Sequence, residues 1–218
     1  MKNQVLLTIT FVFLSSIIYG QRQFSYGIKA GLNIANVDEV GSYSNGFTEE
    51  GYLGGLPMAT GVRPQVGAWL SLPITEKLVL QPELLWTQKY LKYQSTNEDL
   101  DHTNFDYLSL PLLVGYRFHE HWSVELGPEV SYMLSATLKD PGGTGAMLST
   151  AIKEDNLEFG ANVGLKYQKE DWVLGLRYHR SFTSFQNFTV FELSGVPIGE
   201  IKQYHQGLVF WVGYTIKA

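Results

Sequence analysis

The sequence predicts an all-β protein: an eight-stranded antiparallel up-and-down transmembrane β-barrel behind a cleaved signal peptide. Three observations carry this. Long stretches alternate apolar and other residues at period two, which is strand periodicity rather than helix periodicity. The connections between them alternate long and short along the chain. After the N-terminal segment, no stretch holds the ~18–20 apolar residues of a membrane helix.

The N-terminal segment MKNQVLLTITFVFLSSIIYGQ has Lys2 at its start, an apolar core from Val5 to Ile18, and the small residue Gly20 before Gln21. A short apolar core behind a positive start is the layout of a secretory signal peptide. The domain reading is therefore residues 1–20 as signal peptide and 21–218 as barrel.

The first strand is expected over 24–36, where Tyr26, Ile28, Ala30, Leu32 and Ile34 alternate with Gly27, Lys29, Gly31 and Asn33. A polar, Gly-rich stretch over 37–61 separates it from a second strand at 62–75. A turn at Glu76–Lys77 leads to the third strand, 78–94, and a charged loop follows at 95–104. The fourth and fifth strands, 105–118 and 122–134, form the clearest hairpin, FDYLSLPLLVGYRFHEHWSVELGPEVSYML, with its turn at His119–His121. A Gly-rich loop at 139–155 precedes the sixth strand at 156–168. A turn at Lys169–Asp171 leads to the seventh at 172–183. A loop at 184–204 precedes the eighth at 205–216. Antiparallel neighbours then place every long loop at one end and every short turn at the other. Leu80–Trp86 (LQPELLW) and Leu126–Tyr132 (LGPEVSY) echo each other on odd-numbered strands.

Which face meets which solvent follows from the second line of residues. It is rich in glycine and carries Lys29, Glu83, Lys89, Arg117, Glu125, Glu129, Lys166 and Arg177, few charges of both signs. A soluble barrel would turn this line to water and its apolar line inward. Small residues with pairable charges suit instead the filled interior of an eight-stranded membrane barrel. Those eight residues are the expected lumen charge network. Desolvating each alone would be costly, so a plug that rigidifies the barrel is the plain reading and a proton or ion path the alternative. Aromatics fall in two sets, as amphipathic rings at two interfaces would. Tyr116, Phe118, Trp122, Tyr167, Trp172 and Tyr214 lie near the short turns, and Tyr90, Tyr93, Tyr107, Tyr132 and Tyr178 toward the long loops.

Four stretches resemble the small outer-membrane β-barrel proteins of Bacteroidota called PorT-like: Tyr26–Asn33 (YGIKAGLN), Gln81–Leu85 (QPELL), Leu108-x-Leu110-Pro111-Leu112-Leu113, and Gly127-Pro128-Glu129. The resemblance spans about 24–216. It implies the cell outer membrane, extracellular long loops, periplasmic short turns, and a link to protein secretion. Such barrels often stop on an aromatic residue, whereas Lys217 and Ala218 follow Ile216 here.

Composition narrows function by exclusion. The chain has no cysteine, so disulfides, thiol nucleophiles and thiolate metal sites are ruled out. A formal net charge of −5 without a basic block argues against nucleic acid. His179-Arg180-Ser181, with Glu192 as acid, has the residue types of a lipid A-modifying barrel enzyme, in which a His base activates a Ser nucleophile. The parity of His179 points it inward, however. His119-Glu120-His121 has zinc-ligand types, but reads better as a solvated turn. Glu98, Asp99 and Asp101 lack the ordered spacing of a calcium loop. Gly142–Gly145 lacks the lysine of a phosphate-binding loop. The expectation is a monomer in outer-membrane lipid, without catalytic residues, cofactor or metal, that binds protein partners through its extracellular loops or periplasmic turns. A small pore is the alternative, with the lipid A enzyme behind it.

Overall fold

The computed structural model describes residues 24–43, 60–92, 102–139, 146–147, 156–191 and 197–217. The signal peptide reading of 1–20 lies outside them, as do Tyr93, Glu98, Asp99, Asp101, Gly142–Gly145 and Glu192.

Among the described residues, ten strands form: β1 (Ser25–Tyr43), β2 (Gly61–Pro73), β3 (Leu78–Lys92), β4 (His102–Arg117), β5 (Trp122–Lys139), β6 (Ala146–Met147), β7 (Leu157–Lys169), β8 (Trp172–Ser181), β9 (Gln186–Phe191) and β10 (Pro197–Lys217). The eight long ones pair in the order β1-β2-β3-β4-β5-β7-β8-β10, and β1 pairs with β10 to close the ring. All pairings are antiparallel, so the structure is the predicted closed eight-stranded barrel.

The turns are tight for local reasons. At the first, Thr75 Oγ1 accepts hydrogen bonds from the Lys77 and Leu78 amides. At the last, Glu170 adopts φ 55°, the left-handed region a two-residue hairpin needs.

The strands run further than expected at the long-loop end. β1 continues from 36 to Tyr43, β5 from 134 to Lys139, and β10 starts at Pro197 rather than 205. β6 pairs with β5 and β9 pairs with β10 within stretches expected to be loop. The reason is physical. Alternation reports contact with lipid, and it stops where the bilayer stops, whereas ladder hydrogen bonds do not depend on it. A register shift in the β4–β5 ladder adds to this. Tyr107 faces Met133 and Asp106 faces Ser135, leaving Leu134 as the extra residue of a bulge. The parity of β5 inverts there, so that Met133 and Ala136 are both buried.

Outside, the wall is an apolar belt. Ile28, Leu32, Leu84, Leu110, Leu126, Val163, Leu174 and Phe210 all stand exposed, Leu126 at 63%. Such a surface is untenable in water and matched to acyl chains. At the short-turn end Tyr116, Phe118, Trp122, Trp172 and Tyr214 are exposed. Trp122 packs on Tyr167 with ring centroids 4.9 Å apart, and Trp172 on Tyr214 at 5.4 Å. The outer set needs correction. Tyr132 is exposed, but Tyr107 is fully buried in the lumen and Tyr90 is buried beneath Arg63, whose guanidinium carbon lies 4.2 Å from its ring centroid. Aromatic residues can fill a lumen as well as anchor an interface, and Tyr107 has inward parity.

The belt yields a direct test. Leu126→Arg places a charge on the lipid face and should destabilise the barrel by about 2–4 kcal/mol in denaturant unfolding from lipid vesicles. Arginine at Glu170, in an exposed short turn, should change stability by less than about 0.5 kcal/mol.

Candidate functional site

Strand parity aims the second line of side chains at a lumen with room only for side chains. Two charged layers and an apolar cap fill it.

The layer nearer the short turns joins five strands. Arg177 of β8 forms a bidentate pair with Glu83 of β3, Nη1 to Oε2 at 2.7 Å and Nη2 to Oε1 at 2.9 Å. Its Nη2 also reaches Glu125 of β5 at 3.0 Å. Lys29 of β1 donates to Glu83, and Lys166 of β7 lies 2.8 Å from Glu125 Oε1. Gln81 donates to Glu83 and accepts from Lys166, each at 2.7 Å. Three cations thus meet two carboxylates. The indole of Trp211 supports the excess positive charge, with Lys29 Nζ 4.5 Å and Arg177 Cζ 5.9 Å from its ring centroid.

Trp211 packs beside Trp69, centroids 5.8 Å apart, with Val173 and Val209 around them. Glycines make this possible. A Cβ added at Gly27 would lie 2.2 Å from the Trp69 ring, and one at Gly175 would lie 2.1 Å from the Trp211 ring.

The second layer lies toward the long loops. Lys89 donates to Glu158 at 2.7 Å, and its ammonium lies 4.3 Å from the Tyr107 ring centroid. His205 Nδ1 is 3.1 Å from Glu158 Oε2. Glu129 accepts from Ser131 and Asn162, each at 2.8 Å, and His179 Nδ1 stands 3.7 Å away. The open space among these groups is about 10 Å³, the size of one water molecule at most. Above it sits an apolar cap of Val37, Leu91, Phe105, Tyr107, Met133, Ala136 and Phe185. Phe185 stacks on His205, centroids 3.8 Å apart and planes at 17°.

A closed, charge-filled barrel with an apolar outer wall is a known kind of protein. The family model described as "Outer membrane protein beta-barrel domain" matches residues 15–187. The chain belongs to that family. It is an integral protein of the cell outer membrane, as the belt requires. Among solved structures, Neisserial surface protein A shares the fold at 13% identity and a TM-score of 0.54, covering 88% of this chain and 99% of its own. OprG from Pseudomonas aeruginosa aligns at 14% identity and a TM-score of 0.49, covering 91% and 99%. Ail of Yersinia pestis, crystallised with the heparin analogue sucrose octasulfate, aligns at 14% identity and a TM-score of 0.42, covering 89% and 100%. No match was found among curated proteins.

Within this outer-membrane barrel, the eight charged residues singled out from sequence separate into three places. Lys29, Glu83, Glu125, Lys166 and Arg177 meet in the first layer. Lys89 and Glu129 belong to the second. Arg117 joins neither. It is the last residue of β4, so its inward parity leaves it exposed in the short-turn mouth. Parity sets Gln81 and Glu158 on the inner line, though the expected charge network left both out. Sequence reasoning missed His205 and both lumen tryptophans; parity could have found them, since His205 shares a face with Gly207, Trp211 and Gly213.

His179 and Ser181 both lie on the lumen side but are not bonded to each other. Ser181 Oγ donates to the Thr183 carbonyl at 2.9 Å. Arg180 between them pairs outward with Asp38. His119 and Glu120 are exposed in their turn, and His121 packs on Tyr167 at 5.7 Å. Among the described residues, no group of three His, Asp or Glu is placed to share a metal ion.

The first layer sets its own test. Arg177→Ala strips two buried carboxylates of their shared partner and should cost about 3–5 kcal/mol. Arg117→Ala, in the solvated mouth, should cost under about 0.5 kcal/mol. Parallel unfolding titrations of the folded barrels check both.

Proposed function

We propose that this outer-membrane barrel is a monomeric, non-catalytic scaffold that binds a partner at its long-loop end. The observation that carries this is the ladder between β1 and β10. It runs unbroken from Ser25↔Lys217 to Tyr43↔Gly199, well past the apolar belt, and β9 joins β10 over the same upper segment. Sheet beyond the membrane does nothing for spanning it. It fixes the strand ends that carry the connecting segments, and scaffolded loops are where binding commonly resides.

Two features of the lumen support the scaffold over the pore. Cross-strand ion pairs fill its middle, and the open space beside them holds one water molecule at most. The reading as a non-enzyme rests on Ser181, whose hydroxyl donates to the Thr183 carbonyl and forms no hydrogen bond with His179. The likeness of Tyr26–Asn33 and Gln81–Leu85 to PorT-like proteins favours a partner in secretion-linked assembly.

Cross-linking and co-purification should recover a partner with the intact barrel. Replacing 44–59, 140–145 and 192–196 with short Gly-Ser linkers should lose it while heat-modifiable gel migration is kept. An unchanged partner list in every replacement sinks the binding reading. In planar bilayers the intact protein should show no steady conductance steps. A stable conductance would favour the pore.

A further inference from the structure

At the short-turn mouth the lumen opens into a polar vestibule of about 290 Å³, closed above by the first charged layer. Three observations set it apart from a solvated barrel end. Gly115 in its wall is not demanded by packing. An added Cβ there would meet nothing closer than 3.8 Å, whereas at Gly67, Gly127 and Gly175 it would come within 2.0–2.2 Å of a neighbour. Glycine at 115 keeps the vestibule open.

Its donors are also not fully committed. Arg117 lines the space, and no side-chain hydrogen bond or ion pair engages its guanidinium among the described residues. Lys166 forms part of the ceiling. Its side chain keeps 13% of its exposure; it donates to Gln81 and pairs with Glu125, which leaves at least one of the three N–H groups of its ammonium without an acceptor. Finally, Glu120 and Glu170 stand on the rim from two different turns, with no ion pair to Arg117.

We propose that this vestibule is a binding site for a peptide-borne carboxylate with a neighbouring ammonium group. The carboxylate takes the planar donor fork of Arg117 and the remaining Lys166 donor. The ammonium takes the acidic rim. That rim disfavours a simple anion such as phosphate, which would bring negative charge to Glu120 and Glu170 with nothing to offset it. The resemblance to PorT-like barrels implies that the short-turn end faces the periplasm, where two sources offer this chemistry: the C-terminus of a periplasmic protein and the stem peptide of the cell wall. The site is at the opposite end from the surface proposed above and stands or falls separately.

The test is an NMR titration of the full refolded barrel in micelles, following the amide signals of Gly115 and Arg117. The probes are N-acetyl-Ala-Lys as free acid, the same peptide as C-terminal amide, orthophosphate, and an N-acetylmuramyl tripeptide ending in lysine. The free acid should bind at least about tenfold more tightly than the amide or phosphate, as a charge-assisted bidentate pair would give. Arg117→Gln should weaken it by a similar factor, and Gly115→Leu should abolish it by filling the space. Both variants should keep heat-modifiable migration. Arg180→Gln, at the far end, should leave the affinity unchanged. A muramyl tripeptide that binds more tightly than the plain peptide points to the cell wall, and equal affinity points to peptide termini generally. Equal titration by acid and amide, tighter binding of phosphate, or no saturable shift with any peptide would overturn the proposal.

Discussion

The barrel depends on one constraint. In the hydrocarbon of a bilayer no water is available to a main-chain N–H or C=O, so every strand must find two partners. The β1–β10 ladder is where this requirement is met, because it turns a row of strands into a ring without edges. Closure then dictates the remainder. With the wall sealed, each strand has one face in lipid and one in the lumen. The side-chain period of two assigns every residue to one or the other.

An eight-stranded ring leaves too little space for a water channel unless its side chains are small. This chain fills it with charge and indole. Arg177 is the centre of that filling, joining Glu83 and Glu125 from across the barrel. Buried ion pairs of this kind add little or no net stability over an apolar filling, yet breaking one is expensive. Their effect is therefore one of specification: a shifted register would leave a charge without its partner. Trp69 and Trp211 act the same way through shape, since each ring lies against a glycine on a neighbouring strand.

The two ends of the molecule differ in kind. Toward the long loops the lumen is stopped by a dry aromatic cap around Phe185 and His205, and the sheet continues beyond it. Toward the short turns the lumen ends in a solvated, mixed-charge vestibule. One end is built as a platform and the other as a recess.

Much of this was legible in the residues alone. Strand number, direction, barrel closure and the lipid-facing line follow from alternation and from the rhythm of long and short connections. Parity alone set Lys29, Glu83, Glu125 and Arg177 on the inner face. It could not say which charges touch. Partners such as Arg177 and Glu83 come from strands far apart in sequence, and only the ring's radius and stagger bring them together. Arg117 shows the limit from the other side, for inward parity means burial only away from a strand's end. The extensions of β1, β5 and β10 were hidden because pairing above the membrane leaves no apolar signature. The Leu134 bulge was hidden because one extra residue shows only against its partner strand. Sequence by itself determined which face the regular stretches of each strand turn to lipid and which to the lumen, since that is a property of the local period. Tertiary structure decided the ion-pair partners, the cap and the vestibule, since these depend on distances across a closed lumen.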